Sequence, residues 1–157
     1  IEVNALRYLP VATVVRWAAD AAPREAVRVI AAALAAGATP QVSTPVALPA
    51  PIAEALAAAG VQVAYEDAEA WAARLRRLAA QQGPAAGARV RIVAGDSRTA
   101  EAAAVTAATG GVPDIAVYGG AVVSAGRVEM LPHLHEQAVS ITAHRFGTPN
   151  ALSEGLL

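Results

Sequence analysis

The stretch EQAVSITAHRFGTP, Glu136 to Pro149, gathers a carboxylate, a serine, two threonines, a histidine and an arginine in a chain that is otherwise more than a quarter alanine. Ser140 and His144, with a carboxylate from elsewhere, are the residue types of a hydrolase triad. A separation of four residues along a strand-like segment, however, holds them roughly 13 Å apart at full extension, and the G-x-S-x-G turn is absent. Just upstream, His133, His135 and Glu136 are zinc-ligand types, and an i, i+2 pair on a strand shares one face. The helical H-E-x-x-H arrangement is missing, so a third ligand would have to be His144 or a distant carboxylate. A third chemistry is phosphate binding at a strand-to-helix junction, where the first amides of a helix are unpaired donors. Only VAGDSRTAE, Val93 to Glu101, has that form; it carries one Gly where a dinucleotide fingerprint needs G-x-G-x-x-G, and Asp96 would repel an anion. An ordinary helix cap is the expectation there.

What the chain lacks excludes more than its motifs suggest. It has no Cys, and all 12 basic residues are Arg, with no Lys. Thiolate catalysis, disulfides, Cys-bound zinc, side-chain Schiff bases and a Walker-type phosphate lysine therefore all fall away. A coding bias towards GC accounts for the missing Lys, and the chemical exclusion holds regardless. Net charge is −1 and the basic residues are spread from Arg7 to Arg145, which leaves no electrostatic footprint for nucleic acid or an anionic membrane. Charges interrupt every apolar stretch before it reaches the ~20 residues of a membrane span, and a soluble, cytoplasmic protein is expected. Because the chain opens Ile1-Glu2-Val3, a piece of something longer is the expectation.

The elements that would position these residues follow from periodicity. Length fits one domain with a single core of Val, Ile, Leu and Ala, since aromatics are only 4%. TVVRWA (13–18) reads as a strand; after Pro23 comes a helix with Val27, Ile30 and Leu34 at helical spacing, ending at Gly37. The unit recurs: strand QVSTPV, helix from Pro51 with Ile52 and Leu56 to Gly60, strand VQVAYED. Asp67 caps a helix with Trp71, Leu75 and Leu78, ending at Gly83. The cluster Arg74, Arg76, Arg77 on its polar side reads as a solvated face. RVRIVAG (89–95) is a strand, Asp96 or Ser97 caps an Ala-rich helix to Gly110-Gly111, and IAVYGG closes the series. This alternation predicts an α/β, Rossmann-like fold: a mostly parallel sheet of about five strands with helices on its faces. The layer spans 1–118. Residues 119–157 form a hairpin turning at Ser124 to Arg127, a short turn or helical piece at LPHLHEQ, the strand AVSIT and a Gly/Pro-punctuated tail, all within the same domain.

With those residues in view, GRVEMLPHLHEQAVSITAHRFGTP, Gly126 to Pro149, resembles the C-terminal motif of the bifunctional bacterial flavoenzymes called proline utilization A, in their long forms with an extra domain after the aldehyde dehydrogenase module. NALRYLP, IAAALAAGA and QVSTP are similar to that extra domain too, so the likeness covers nearly the whole chain. The resemblance implies a parent oxidoreductase that converts proline to pyrroline-5-carboxylate with FAD and glutamate semialdehyde to glutamate with NAD, the intermediate passing through an internal cavity. It implies that the extra domain is aldehyde-dehydrogenase-like in fold and non-catalytic, docked on the dehydrogenase module of the same parent chain, with its terminal segment closing the cavity. The matching lid positions here are Glu136, Gln137, Ser140, Thr142, His144, Arg145, Phe146 and Gly147; no catalytic, cofactor or metal residue is implied in this chain.

One expectation from the residues runs alongside the resemblance. An aldehyde dehydrogenase needs a cysteine thiolate, and this chain has none. The strand AVSIT exposes backbone donors and acceptors on its edges and suits addition to a partner's sheet; in the chain alone, folding back on its own domain and mobility are the two alternatives. Two other classes remain open at the level of sequence: a stand-alone small-molecule or nucleotide-binding domain using Val93 to Glu101, and an oligomerisation module.

Overall fold

The structure, a computed structural model, describes residues 2–81 and 88–142. At its centre is a five-stranded sheet built from β2 (Thr13–Trp17), β3 (Gln41–Thr44), β4 (Gln62–Tyr65), β5 (Ala88–Val93) and β6 (Ile115–Tyr118). Every neighbouring pair is parallel and the order is β4-β3-β2-β5-β6. Helices α1 (Pro23–Ala35), α2 (Ala50–Ala58), α3 (Ala68–Ala80) and α4 (Arg98–Thr109) make the crossovers. The chain is thus α/β and Rossmann-like, as the alternation predicts. Among the described residues no helix is long and apolar enough to cross a membrane.

Strand β2 shows why the sheet is covered on both sides. Its five residues are all buried, and the alternation of side chains divides them: Val15 and Trp17 enter one cluster with Val29, Ile30 and Leu56 of α1 and α2, whereas Val14 and the following Ala18 enter a second with Trp71, Leu75 and Val105 of α3 and α4. Each helix presents a stripe to its cluster. In α1, Ala26, Val29, Ile30 and Ala33 are buried at i, i+3, i+4 and i+7, the spacing of one helical face, and Pro23 begins the helix where a missing N–H costs nothing. In α3 the Asp67 carboxylate accepts from the Ala70 amide at 2.8 Å, a side-chain N-cap. Helix α4 ends at Gly110, whose φ of 65° is left-handed and unfavourable for a residue with a Cβ.

Two arginines sit inside this packing. Arg16 of β2 is 3% exposed; its Nη1 donates to Ser43 Oγ at 2.9 Å and to the Glu66 carbonyl, its Nε meets Glu101 of α4 at 3.2 Å, and its guanidinium lies 5.1 Å from the centroid of the Trp71 ring. Arg91 of β5 pairs with Glu129 at 2.7 Å, with both side chains nearly fully buried. Buried charges persist only when paired and hydrogen-bonded, and both meet that condition.

The region after β6 departs from expectation. Where a hairpin turning at Ser124 to Arg127 is predicted, the chain forms a short helix, α5 (Gly126–Met130), followed by a 3-10 turn, Leu131–His133. Glu129 gives the physical reason: a helix turns its carboxylate inward to Arg91 and to the Val123 amide, whereas a two-strand turn would leave Arg91 without its counter-charge. After the turn comes β7 (Leu134–Thr142), longer than AVSIT. It pairs antiparallel along its whole length with β1 (Glu2–Pro10), from Glu2 opposite Thr142 to Pro10 opposite Leu134. The folding-back alternative for AVSIT therefore holds among the described residues. Strands β1 and β7 form a two-stranded ribbon separate from the five-stranded sheet. Helix α3 ends at Ala80; the predicted stop at Gly83 lies outside the described residues.

Candidate functional site

In an open parallel sheet, ligands bind beyond the carboxyl ends of the strands where the strand order reverses. Here that place is between β2 and β5. The loop after β2 contains no Gly before Pro23, and the junction Val93 to Glu101 begins α4 directly across the gap. The exposed carboxylate of Asp20 fills it. Asp20 Oδ2 accepts from the Ser97 amide at 2.7 Å, and Oδ1 accepts from the Ser97 hydroxyl at 2.7 Å and the Gly95 amide at 3.2 Å. The predicted cap from Asp96 or Ser97 is thus corrected: Ser97 stands at the capping position but its side chain makes no capping bond, because its hydroxyl is turned to Asp20. These donors, led by the Ser97 amide, hold the Asp20 carboxyl below its ordinary range. Gly95 is required by close approach, since a Cβ there would stand 2.8 Å from the Asp20 carbonyl oxygen. The amides that would cradle a phosphate already hold an anion of the protein's own, and a second negative charge would be repelled.

The ribbon carries the predicted lid positions. Glu136 is exposed and lies opposite Tyr8, Gln137 accepts from Arg7 Nε at 2.6 Å, Ser140 lies opposite Asn4, and the backbone of Thr142 opposite Glu2. His144, Arg145, Phe146 and Gly147 lie outside the described residues, and so does the Ser140–His144 pairing. Leu6 and Tyr8 are 57% and 51% exposed and share one face of β1, since they are two residues apart. A strand pair uses only half of its backbone groups for pairing, and among the described residues no third strand joins this one.

At the ribbon's root the layer grips the chain. Arg89 of β5 donates to the carbonyls of Leu131, Pro132 and Leu134, its guanidinium lies 5.8 Å from the Tyr118 ring centroid, and the Val11 amide donates to the His133 carbonyl at 2.9 Å. His133 itself is fully buried and neither ring nitrogen has a hydrogen-bond partner among the described residues. Burial pushes its pKa down to about 4, against the pull of the Glu129 carboxylate and with some help from Arg91 and Arg89. His135, two residues on, is exposed on β7. The candidate metal pair is therefore divided between interior and surface, and among the described residues no group of three or more His, Asp or Glu side chains could hold an ion. Beside the root, a hollow of about 430 Å³ is lined by Val117, Tyr118, Val123, Val128 and Leu131; the Arg91–Glu129 pair at its wall is already saturated by its own partners.

Sequence reasoning missed Asp20, Arg16, Arg91 and Glu129. The arginines had a signal, because a charge within a β-branched run such as TVVRW or RVRIV is buried only with a partner. Asp20 had none, its partners being 75 and 77 positions away. Arg74 leaves the expected solvated face and pairs with Glu66 at 3.2 Å, while Arg76 and Arg77 are exposed as expected.

Compared with family models, with curated proteins and with solved structures, the chain gives no match in any of the three.

Two outcomes follow. Asp20→Asn should lower the thermal midpoint at pH 7, and the difference should shrink as pH falls below the ordinary carboxyl value of 3.8, because a depressed pKa stabilises only while the group is ionised. A pH-independent difference would contradict the anion role. For His133 the sign is also that of a lowered pKa, but on a base: the neutral form is the folded one, so stability is full above pH 6.5 and falls as pH drops towards 4. His133→Leu should remove roughly 2–3 kcal/mol of that pH dependence, read by urea unfolding at pH 7 and pH 4.

Proposed function

We propose that the chain is the non-catalytic C-terminal domain of a bifunctional proline-oxidising flavoenzyme, acting in the cytoplasm by docking on the aldehyde dehydrogenase module and closing the cavity through which the intermediate passes. FAD and NAD belong to the parent's other modules. The observation that carries the reading is the β1–β7 ribbon: a two-stranded pair that adds to no third strand among the described residues, with Leu6 and Tyr8 exposed. Such a ribbon is marginally stable alone in water and gains most by adding to another sheet's edge, its side chains setting the register. The resemblance from Gly126 to Pro149 supplies the partner's identity, and the absence of Cys removes thiohemiacetal chemistry from this chain.

Nucleotide binding at Val93 to Glu101 is the alternative, and Asp20 counts against it, since a pyrophosphate would have to displace a carboxylate already held by two amides and a hydroxyl. A stable dimer of the chain through the same ribbon is compatible with docking.

The test is made in the parent enzyme. Deleting residues 136–157 should leave proline oxidation with an artificial electron acceptor nearly intact and slow proline-dependent NADH formation by roughly tenfold, as expected when a closing element is lost. Leu6→Asp with Tyr8→Asp, which leaves the chain length unchanged, should act in the same direction. Unchanged coupled NADH formation in both variants would overturn the lid role.

A further inference from the structure

Among the described residues the five-stranded sheet ends at β4 on one side and β6 on the other, and the two edges differ in their surroundings. Strand β6 reads IAVY, with Ala116 and Val117 exposed, and alternate residues of an edge strand turn their backbone groups away from the sheet. Natural edges are usually blunted by charges or proline; the four residues of β6 include neither. Beside the strand lies the hollow of about 430 Å³, which continues the apolar surface through Val123, Val128 and Leu131, the last two 52% and 51% exposed. Two exposed charges flank this strip. Asp114 precedes β6 at its amino end, and Arg127 adjoins Val128 beyond its carboxyl end. Neither is in an ion pair among the described residues. The β4 edge lacks that polarity: the Glu66 carboxylate that follows it is already paired with Arg74.

We infer that β6 is the contact between two copies of this chain, paired antiparallel across a two-fold axis. Self-complementarity selects that partner. A two-fold normal to the sheet pairs side chains that share a face, so the strand meets its copy centred on Ala116 or on Val117. In the first register Asp114 of one copy stands opposite Tyr118 of the other, and in the second opposite Gly120; both of these line the hollow. Arg127 borders the same hollow through Val128, so the carboxylate of each copy arrives beside the unpaired guanidinium of the other, twice per dimer. The rim has room to receive it: a Cβ added at Gly120 would meet nothing within 4 Å. Pro113, exposed ahead of Asp114, brings its ring to the same apolar strip. A partner of uniform charge would be attracted at one end of the strip and repelled at the other, whereas a second copy answers both. One short strand and one hollow make a small interface, and the association is correspondingly weak. Because β6 belongs to the layer and not to the ribbon, the dimer and the docking reading succeed or fail separately.

Sedimentation velocity on the 157-residue chain should show a monomer–dimer equilibrium with a Kd of roughly 10–100 µM at low salt, weakening as salt rises. Asp114→Arg and Arg127→Asp should each raise Kd at least about tenfold, since each sets two like-charge pairs across the axis, and the two together should return it to within about threefold of the unchanged chain. Val128→Asp should abolish the dimer while the circular dichroism of the folded chain is retained. Leu6→Asp with Tyr8→Asp, on the ribbon, should leave Kd as it is. A chain that stays monomeric at every concentration would refute the inference. So would a dimer indifferent to the substitutions at 114, 127 and 128, a double charge reversal that fails to restore it, or a dimer that the ribbon substitutions dissociate.

Discussion

Backbone donors and acceptors at a strand's edge must be satisfied, and this constraint sorts the molecule into two parts with different fates. In the five-stranded sheet it is met for β2, β3 and β5, each of which has a neighbour on both sides, and the junction after β5 is closed by the Asp20 carboxylate. In the ribbon, among the described residues, each strand pairs with one neighbour, β1 with β7. The first part therefore has three of its five strands paired on both sides, with only β4 and β6 at its edges. The second is half of a sheet, and its exposed Leu6 and Tyr8 add an apolar reason for a partner to the hydrogen-bonding one.

The layer and the ribbon are joined by electrostatics placed where the core cannot reach. Arg89 gathers three carbonyls of the root, Arg91 holds α5 through Glu129, and His133 stays neutral between them. All three arginines of the sheet, Arg16 included, reach beyond their own strand to loops or helices that follow later in the chain. With Lys absent, these tasks fall to planar guanidiniums, which bond several acceptors at once and lose less rotamer freedom per bond.

Local pattern made the layer legible. β-Branched runs bounded by Gly and Pro located β2 to β6 within a few residues, and Asp67 at the cap of α3 follows from rules that act over one turn, whereas the expected α1 face of Val27, Ile30 and Leu34 is turned: Ala26, Val29, Ile30 and Ala33 are buried, and Val27 and Leu34 are exposed. Interactions of long separation were hidden. Strand β1 was not expected, because it finds its partner about 130 positions later, as the Arg7–Gln137 bond shows. The hairpin expected at Ser124 to Arg127 became α5 because Glu129 answers a charge in β5, 38 positions back. The candidate site divides along the same line: Glu136, Gln137 and Ser140 lie on the ribbon, within the stretch that carries the resemblance, while the Asp20 plug at the junction where an ordinary helix cap is expected could be found only by folding the chain.

Docking and not nucleotide chemistry is the central proposal, and amide hydrogen exchange tests it most directly, comparing this chain alone with the same residues inside the proposed proline-oxidising parent. The outward-facing amides of residues 2–10 and 134–142 should exchange rapidly in the isolated chain and slow by roughly 100-fold or more in the parent, while β2, β3 and β5 are equally protected in both. Equal exchange of the ribbon amides in the two forms would contradict the claim.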